Sequence, residues 1–204
     1  GLLAAPGIGV ISLDKPAYTV PARINVTVVD TDLAGQPAVN INIKSSTESL
    51  GETLQLNASS SSGSFTGSIA TAVGLAVSDG KLQVANNDSI LATYLDASPN
   101  SSLVAFAVAD LLPPVLSGVS AINEFGVATI SWNSSEPATS LVVYGTNSSL
   151  ASLTTTATVP GLENAHSIVL PGLIPAKTYY YYVVSSDAAG NTATNSNGGS
   201  LYSF

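Results

Sequence analysis

The sequence predicts an all-β protein built as two tandem β-sandwiches. Three observations lead there. Short apolar runs alternate with period two, turn-forming residues separate them, and a proline pair divides the chain near its middle. "RINVTVVD" places Ile24, Val26 and Val28 on one face, and "AVNINIK" does the same with Val39, Ile41 and Ile43. "ETLQLN" aligns Leu54 with Leu56, and "SILATYL" aligns Ile90, Ala92 and Tyr94. "SLVAFAVAD" continues the series with Val104, Phe106 and Val108 as the expected inward set. "SGSFTGSI" reads as a turn feeding a strand that points Phe65 and Ile69 inward. No segment carries a convincing helical period, and strands of this length and spacing suit sandwiches. In "ADLLPPVLSGV", Pro113 and Pro114 follow a finished strand and cannot donate to a ladder. The expected domains are therefore residues 1–111 and 112–204.

Composition narrows the function classes. Of 204 residues 45% are hydrophobic, enough for real cores, but only 9% are charged, against roughly 25% in an average soluble domain. The net charge is −8 with five basic residues, so there is no basic patch for phosphates. Nucleic acid and anionic membrane surfaces are excluded as partners on that ground. The chain has no cysteine, which rules out a disulfide scaffold and thiolate metal sites and suits a prokaryotic exported protein. It has no methionine either, so it reads as a mature product or excised fragment. No apolar run approaches the ~20 residues of a membrane helix. "GLLAAPGIGV" is short and interrupted by Pro6 and glycines.

The second half carries "PPVLSGV", Trp132 at the end of "VATISW", "GLIPAKTYYYYVV" and "SDAAGN". This resembles a fibronectin type III domain over nearly all of residues 112–204. The resemblance implies that Trp132 is a core residue and that Tyr179 makes a corner bond to nearby backbone while its face packs against Trp132 and Ile130. Alternation then turns Tyr179, Tyr181 and Val183 inward and Tyr180, Tyr182 and Val184 outward. The outward tyrosines, ~6.6 Å apart along the strand, are the candidate surface for a glycan or protein partner; the alternative is ordinary strand filler with wet hydroxyls. "EPATSLVVYGT" and His166 before "IVLPGLIP" look like the subset of such domains that precede secreted metallophosphoesterases. That implies a neighbour rather than an activity, because a lone histidine cannot build such a metal centre. His166 reads as a structural strand-edge residue.

The first half carries "LDKPAY", "VVDTDLAG", "GETLQL", "SGSFTGSI" and "NDSILATYLDA" in that order. It resembles immunoglobulin-like modules appended to secreted prokaryotic peptidases and surface proteins. In "DTDLAG", Asp30 and Asp32 are hard oxygen donors at a turn and Gly35 is placed for a positive φ. Asp88, Asp96 and Asp110 could join them in a sandwich, which makes calcium the candidate ligand and cofactor. The full EF-hand spacing is absent, and turn capping explains the same aspartates. Asp187 and Asn191 in "DAAGN" read as an Asx-type turn.

Catalytic patterns are weak. No Ser-His-Asp arrangement is motivated, "SGSFTGS" is not a nucleophile elbow, and the carboxylate pair Glu48 and Glu52 is tied to no cleft by the sequence. Six N-x-S/T sequons occur, at Asn25, Asn57, Asn87, Asn100, Asn133 and Asn147; they are acceptors only where the source glycosylates. Asn25 points outward on its strand and the others are expected near turns.

The sequence therefore leads to a non-catalytic, extracellular, structural or adhesive module that spaces or presents something at a cell surface. Its partners would be proteins, further copies of itself, or a glycan. A second reading is a self-assembling subunit of an extracellular filament or surface layer, with the apolar start "GLLAAPGIGVISL" adding as a strand to a neighbour's sheet. The simpler role for that segment is first strand of its own domain. A third reading is an accessory fragment of a secreted peptidase or phosphoesterase.

Overall fold

The structure is a computed structural model and describes residues 7–150 and 154–204. The chain forms two compact units, Gly1–Leu111 and Leu112–Phe204. Both are built from strands, which makes this an all-β tandem sandwich protein.

In the first unit β1 (Val10–Leu13), β2 (Ala17–Tyr18), β3 (Arg23–Val29), β4 (Ala38–Ser45) and β5 (Glu52–Ser60) are followed by β6 (Ser64–Ala72), β7 (Lys81–Gln83), β8 (Ser89–Asp96) and β9 (Ser101–Ala109). The hydrogen-bonded order is β1-β3-β6-β5-β4-β8-β9-β2, with β7 beside β6. The sheet curls until its ends meet: the Gly9 N–H, at the entry to β1, donates to Asp96 at the end of β8. The alternation read for β3, β4, β6 and β8 is seen: Ile24, Val26, Val28, Ile41, Ile43, Phe65, Ile69, Ile90, Ala92 and Tyr94 are buried. The segment "VISL" is β1 of its own unit, antiparallel to β3 with Ile11 opposite Val28. Residues 1–6, where the strand-donating part of the opening falls, lie outside the described residues.

One face assignment is reversed. Val104, Phe106 and Val108 of β9 point outward, with Phe106 69% exposed. Ala107 and Ala109 are buried instead, and Leu103 and Ala105 pack partly against the core. Both faces of this strand are apolar, so hydrophobicity alone did not fix its register. The inner face takes alanines because Tyr18, Ile90 and Tyr94 already fill the space there. Gly63 fixes another close approach. It sits at φ +84°, and a Cβ there would lie 2.0 Å from the Asp30 carbonyl oxygen, so only glycine lets β6 start against the exit of β3.

In the second unit β10 (Leu116–Glu124), the long bent β11 (Val127–Gly145), β12 (Thr155–Leu170), β13 (Tyr180–Ser186), β14 (Thr192–Asn195) and β15 (Tyr202–Ser203) form one curled sheet. β11 changes neighbours at a corner. Its first half pairs with β10, its second half with β13, and β12 follows it throughout with register slips between Asn133, Ala138 and Ser140. Pro137 falls at this corner, where no ladder donor is needed. The core gathers Ile130, Trp132, Val142, Ile168, Leu170, Tyr179, Tyr181 and Val183. Tyr179 accepts a 3.0 Å hydrogen bond from the Ile174 backbone N–H, the corner bond that the resemblance implied.

Candidate functional site

The carboxylates of "DTD" sit at a short 3-10 turn, Thr31–Leu33, which Asp30 caps by accepting from the Asp32 N–H at 3.0 Å. The curl of the sheet brings Asp96 to the same place. Asp30, Asp32, Tyr94 and Asp96 line a surface cleft of about 240 Å³. Asp30 and Asp96 are only 2% and 1% exposed, so their charges need internal donors. Asp30 takes the Tyr94 hydroxyl at 2.5 Å, and Asp96 takes the Gly9 N–H at 2.9 Å and the Ser98 N–H at 2.9 Å. Asp32 accepts from Gly7 at 3.1 Å. Burial, the bond to Asp30 and the nearby carboxylates of Asp30, Asp96 and Asp32 push the Tyr94 hydroxyl well above its usual range, so it stays a donor.

The expected convergence of Asp88 and Asp110 on this cleft does not occur. Asp88 precedes β8 and Asp96 ends it, so eight residues of strand hold them roughly 26 Å apart. Antiparallel β9 returns Asp110 to the Asp88 end, where its N–H donates to the Tyr18 carbonyl. Asp88 closes two turns there, accepting from Ala85 and Thr47 at 2.9 and 3.0 Å. Burial alone would raise its pKa, and these bonds outweigh burial and lower it.

Glu48 and Glu52, four residues apart across the β4–β5 turn, are both buried. Glu52 accepts from the N–H groups of Asp79 and Gly80 at 2.8 and 3.2 Å, and Glu48 from that of Gln83 at 2.9 Å. They hold the 78–83 segment against the hairpin. Burial pushes the Glu48 carboxyl up, and the neighbouring Glu52 and Asp79 charges add to it.

In the second unit, Asp187 closes its Asx turn by accepting from Gly190 and Asn191 N–H groups at 2.7 and 2.9 Å. His166 lies inside the unit rather than at a strand edge: it is 3% exposed and stacked on Trp132, ring centroids 4.8 Å apart. Its partners, Ser134 and Ser140, were not recognisable among so many serines. Tyr180 and Tyr182 do face outward, as alternation requires, but are half-buried. Tyr182 stands opposite Val143, itself only 9% exposed. The turn that joins β10 to β11 carries a more exposed feature. Phe125 occupies the tight turn between β10 and β11 at φ +50°, with its ring fully exposed beside Ile122 and Ile174. It borders a cleft of about 480 Å³ that also includes Tyr179, Lys177 and Phe204.

All six sequon asparagines are exposed. Asn87, Asn100 and Asn147 lie at turns, whereas Asn57 and Asn133 lie within β5 and β11, not near turns as expected. The Asn25 amide nitrogen donates to Asp14 at 2.8 Å, a bond that any attached sugar would have to displace.

Fold and sites together define a class: a two-unit β-sandwich protein whose buried ionisable groups brace its turns and corners. No protein family matches the sequence, and no curated protein does either. Among solved structures the chain is similar to the FN1–FN3 domains of chicken CNTN1, with TM-score 0.43 and 11% identity over 94% of this chain and 68% of that one. It is also similar to a DUF3823 family protein from Bacteroides ovatus (TM-score 0.34, 9% identity, 97% and 98% covered). A third likeness is to the purple acid phosphatase PPD1 from yellow lupin seeds, with TM-score 0.31 and 11% identity over 96% of this chain and 40% of that one. The likeness is one of fold, and the chain's own topology carries the class.

Proposed function

We propose that this chain is a non-catalytic structural module of an extracellular surface, acting as a spacer or presenter of protein-binding loops. The observation that supports this most is how the ionisable groups are used. Asp30, Asp96, Asp88 and Asp187 each accept from backbone N–H groups, and His166 is enclosed between two serine hydroxyls. Such groups stiffen turns and a sheet corner. Phe125 is the favoured contact point, since a bulky residue at positive φ costs about 1 kcal/mol and gains nothing inside its own unit. The test is alanine and aspartate substitution of Phe125, with binding of candidate surface proteins and glycans measured alongside melting. Lost binding in a folded variant supports the proposal; catalytic turnover of any ester, peptide or glycoside by the purified chain overturns it.

A second reading, a filament subunit, is favoured by the outward apolar stripe of β9. Val104, Phe106 and Val108 lie on an outer face beside Leu95, and β2 pairs with β9 only at Val108 and Ala109. That outer stripe would take an apolar segment from a neighbour, such as residues 1–6. Light scattering and electron microscopy of the full chain, with and without residues 1–8, separate the readings. Assemblies that disappear on truncation support the filament; a concentration-independent monomer supports the spacer.

A further inference from the structure

The chain has one histidine and one tryptophan, and the fold stacks them face to face, with an interplanar angle of 12°. The hydrogen bonds around the imidazole define its state. Ser134 Oγ lies 2.6 Å from the Glu136 carbonyl and 3.2 Å from the Glu163 carbonyl. Carbonyls only accept, so the single Ser134 proton is directed to one of them. Ser134 Oγ therefore accepts from His166 Nε2–H, at 2.8 Å. Nδ1 is then bare and accepts the Ser140 hydroxyl, also at 2.8 Å. The three bonds run in one sense, from Ser140 through the ring to Ser134 and on to backbone, and each polarises the next.

Ser134 ends the half of β11 that pairs with β10, and Ser140 immediately precedes the half that pairs with β13. His166, opposite Trp132 on β12, thus ties together the two sides of the corner. We infer that His166 is a pH-operated clamp on this corner: protonation at Nδ1 turns the Ser140 hydroxyl from donor to acceptor, takes away the ring nitrogen that accepted its buried proton, and loosens the tie to the second half of β11. The charged group that acts on it is Glu163 on β12. Burial holds the imidazole below its usual pKa of 6.5 and outweighs the Glu163 charge, which favours the cation. The sign follows. A folded pKa below the unfolded one leaves stability intact above pH 6.5. Stability is then lost as pH falls from there through the folded midpoint. Across that window each pH unit raises the unfolding constant of this unit about tenfold.

The experiment uses the full chain and needs no mutant to begin. The single histidine's Cε1–H resonance is titrated by NMR while the single tryptophan's emission is followed, because an imidazolium stacked on an indole quenches it and a neutral ring does so far less. A midpoint below 6.5 with emission falling in step is the expected result. A midpoint at or above 6.5, or emission that is flat through it, overturns the clamp. His166→Gln should abolish the acid-dependent step in emission, and its survival would mean that another group titrates.

Discussion

Replacing Tyr94 by Phe isolates the interaction that holds the aspartate cleft together. The ring is 3% exposed and remains in place, so packing is conserved and only the hydroxyl is lost. Asp30 is then left with one carboxylate oxygen bonded to the Asp32 N–H and the other, formerly 2.5 Å from the hydroxyl, without that donor in a buried site. A hydrogen bond to a charged acceptor is worth about 1.5–3 kcal/mol, and an unsatisfied buried acceptor carries its desolvation cost as well. The expected loss is therefore ~2 kcal/mol in the first unit. Urea unfolding followed by far-ultraviolet circular dichroism and tyrosine emission reads it, because Trp132 lies in the other unit and serves as the internal control. Combining Tyr94→Phe with Asp30→Asn should give a coupling of about 1 kcal/mol or more. A single-variant loss under about 0.5 kcal/mol, with no coupling, would show that the pair contributes nothing beyond an ordinary surface contact.

The cleft also yields a ligand test: if Asp30 and Asp32 hold calcium, millimolar calcium should raise the melting temperature of the native chain and not that of the Asp30→Asn/Asp32→Asn variant, and coincident curves with chelator and with calcium would remove the ion. Glu48 has a folded pKa raised above its unfolded value, so its contribution is complete below pH ~4.5 and is lost as pH rises through the folded pKa. Glu48→Gln should accordingly stabilise the chain at pH 7 relative to pH 4, and a variant that gains nothing at neutral pH would contradict this. Replacing Tyr180 and Tyr182 by Thr together should cost about 1–2 kcal/mol, since the rings are half-buried and Tyr182 covers Val143; a larger effect on association than on unfolding would identify the rings as contact residues.

What could be read from the sequence was what alternation encodes. In β3 the polar residues Arg23, Asn25 and Thr27 interleave with Ile24, Val26 and Val28, so one face was determined. In β9 both faces are apolar, and volume rather than polarity decided which turned inward; that depends on how much of the core Tyr18 and Tyr94 already occupy. The cleft was half legible. Asp30 and Asp32 are neighbours in sequence, but Asp96 joins them only through the closing of the curled sheet, and Asp88 was separable from Asp96 only once both were seen to bound a single strand. His166 was legible as structural because it is alone, while its serine partners are chemically anonymous in a serine-rich chain. Glu48 and Glu52 needed the hairpin between them before their spacing meant proximity.

The parallel pairing of β2 with the end of β9 has a mechanical consequence. Ala17 and Tyr18 lie alongside Val108 and Ala109, joined by bonds from the Val108 N–H to the Pro16 carbonyl at 3.0 Å and from the Asp110 N–H to the Tyr18 carbonyl at 2.9 Å. Tension applied through the two ends of the first unit would draw these parallel strands in opposite directions along their length. Both bonds would then be sheared together instead of being peeled one after the other. The joint sits at the point where the chain passes on to Leu111, so it and the β1–β3 ladder together stand between the ends of the first unit and its inner strands β4, β5 and β8.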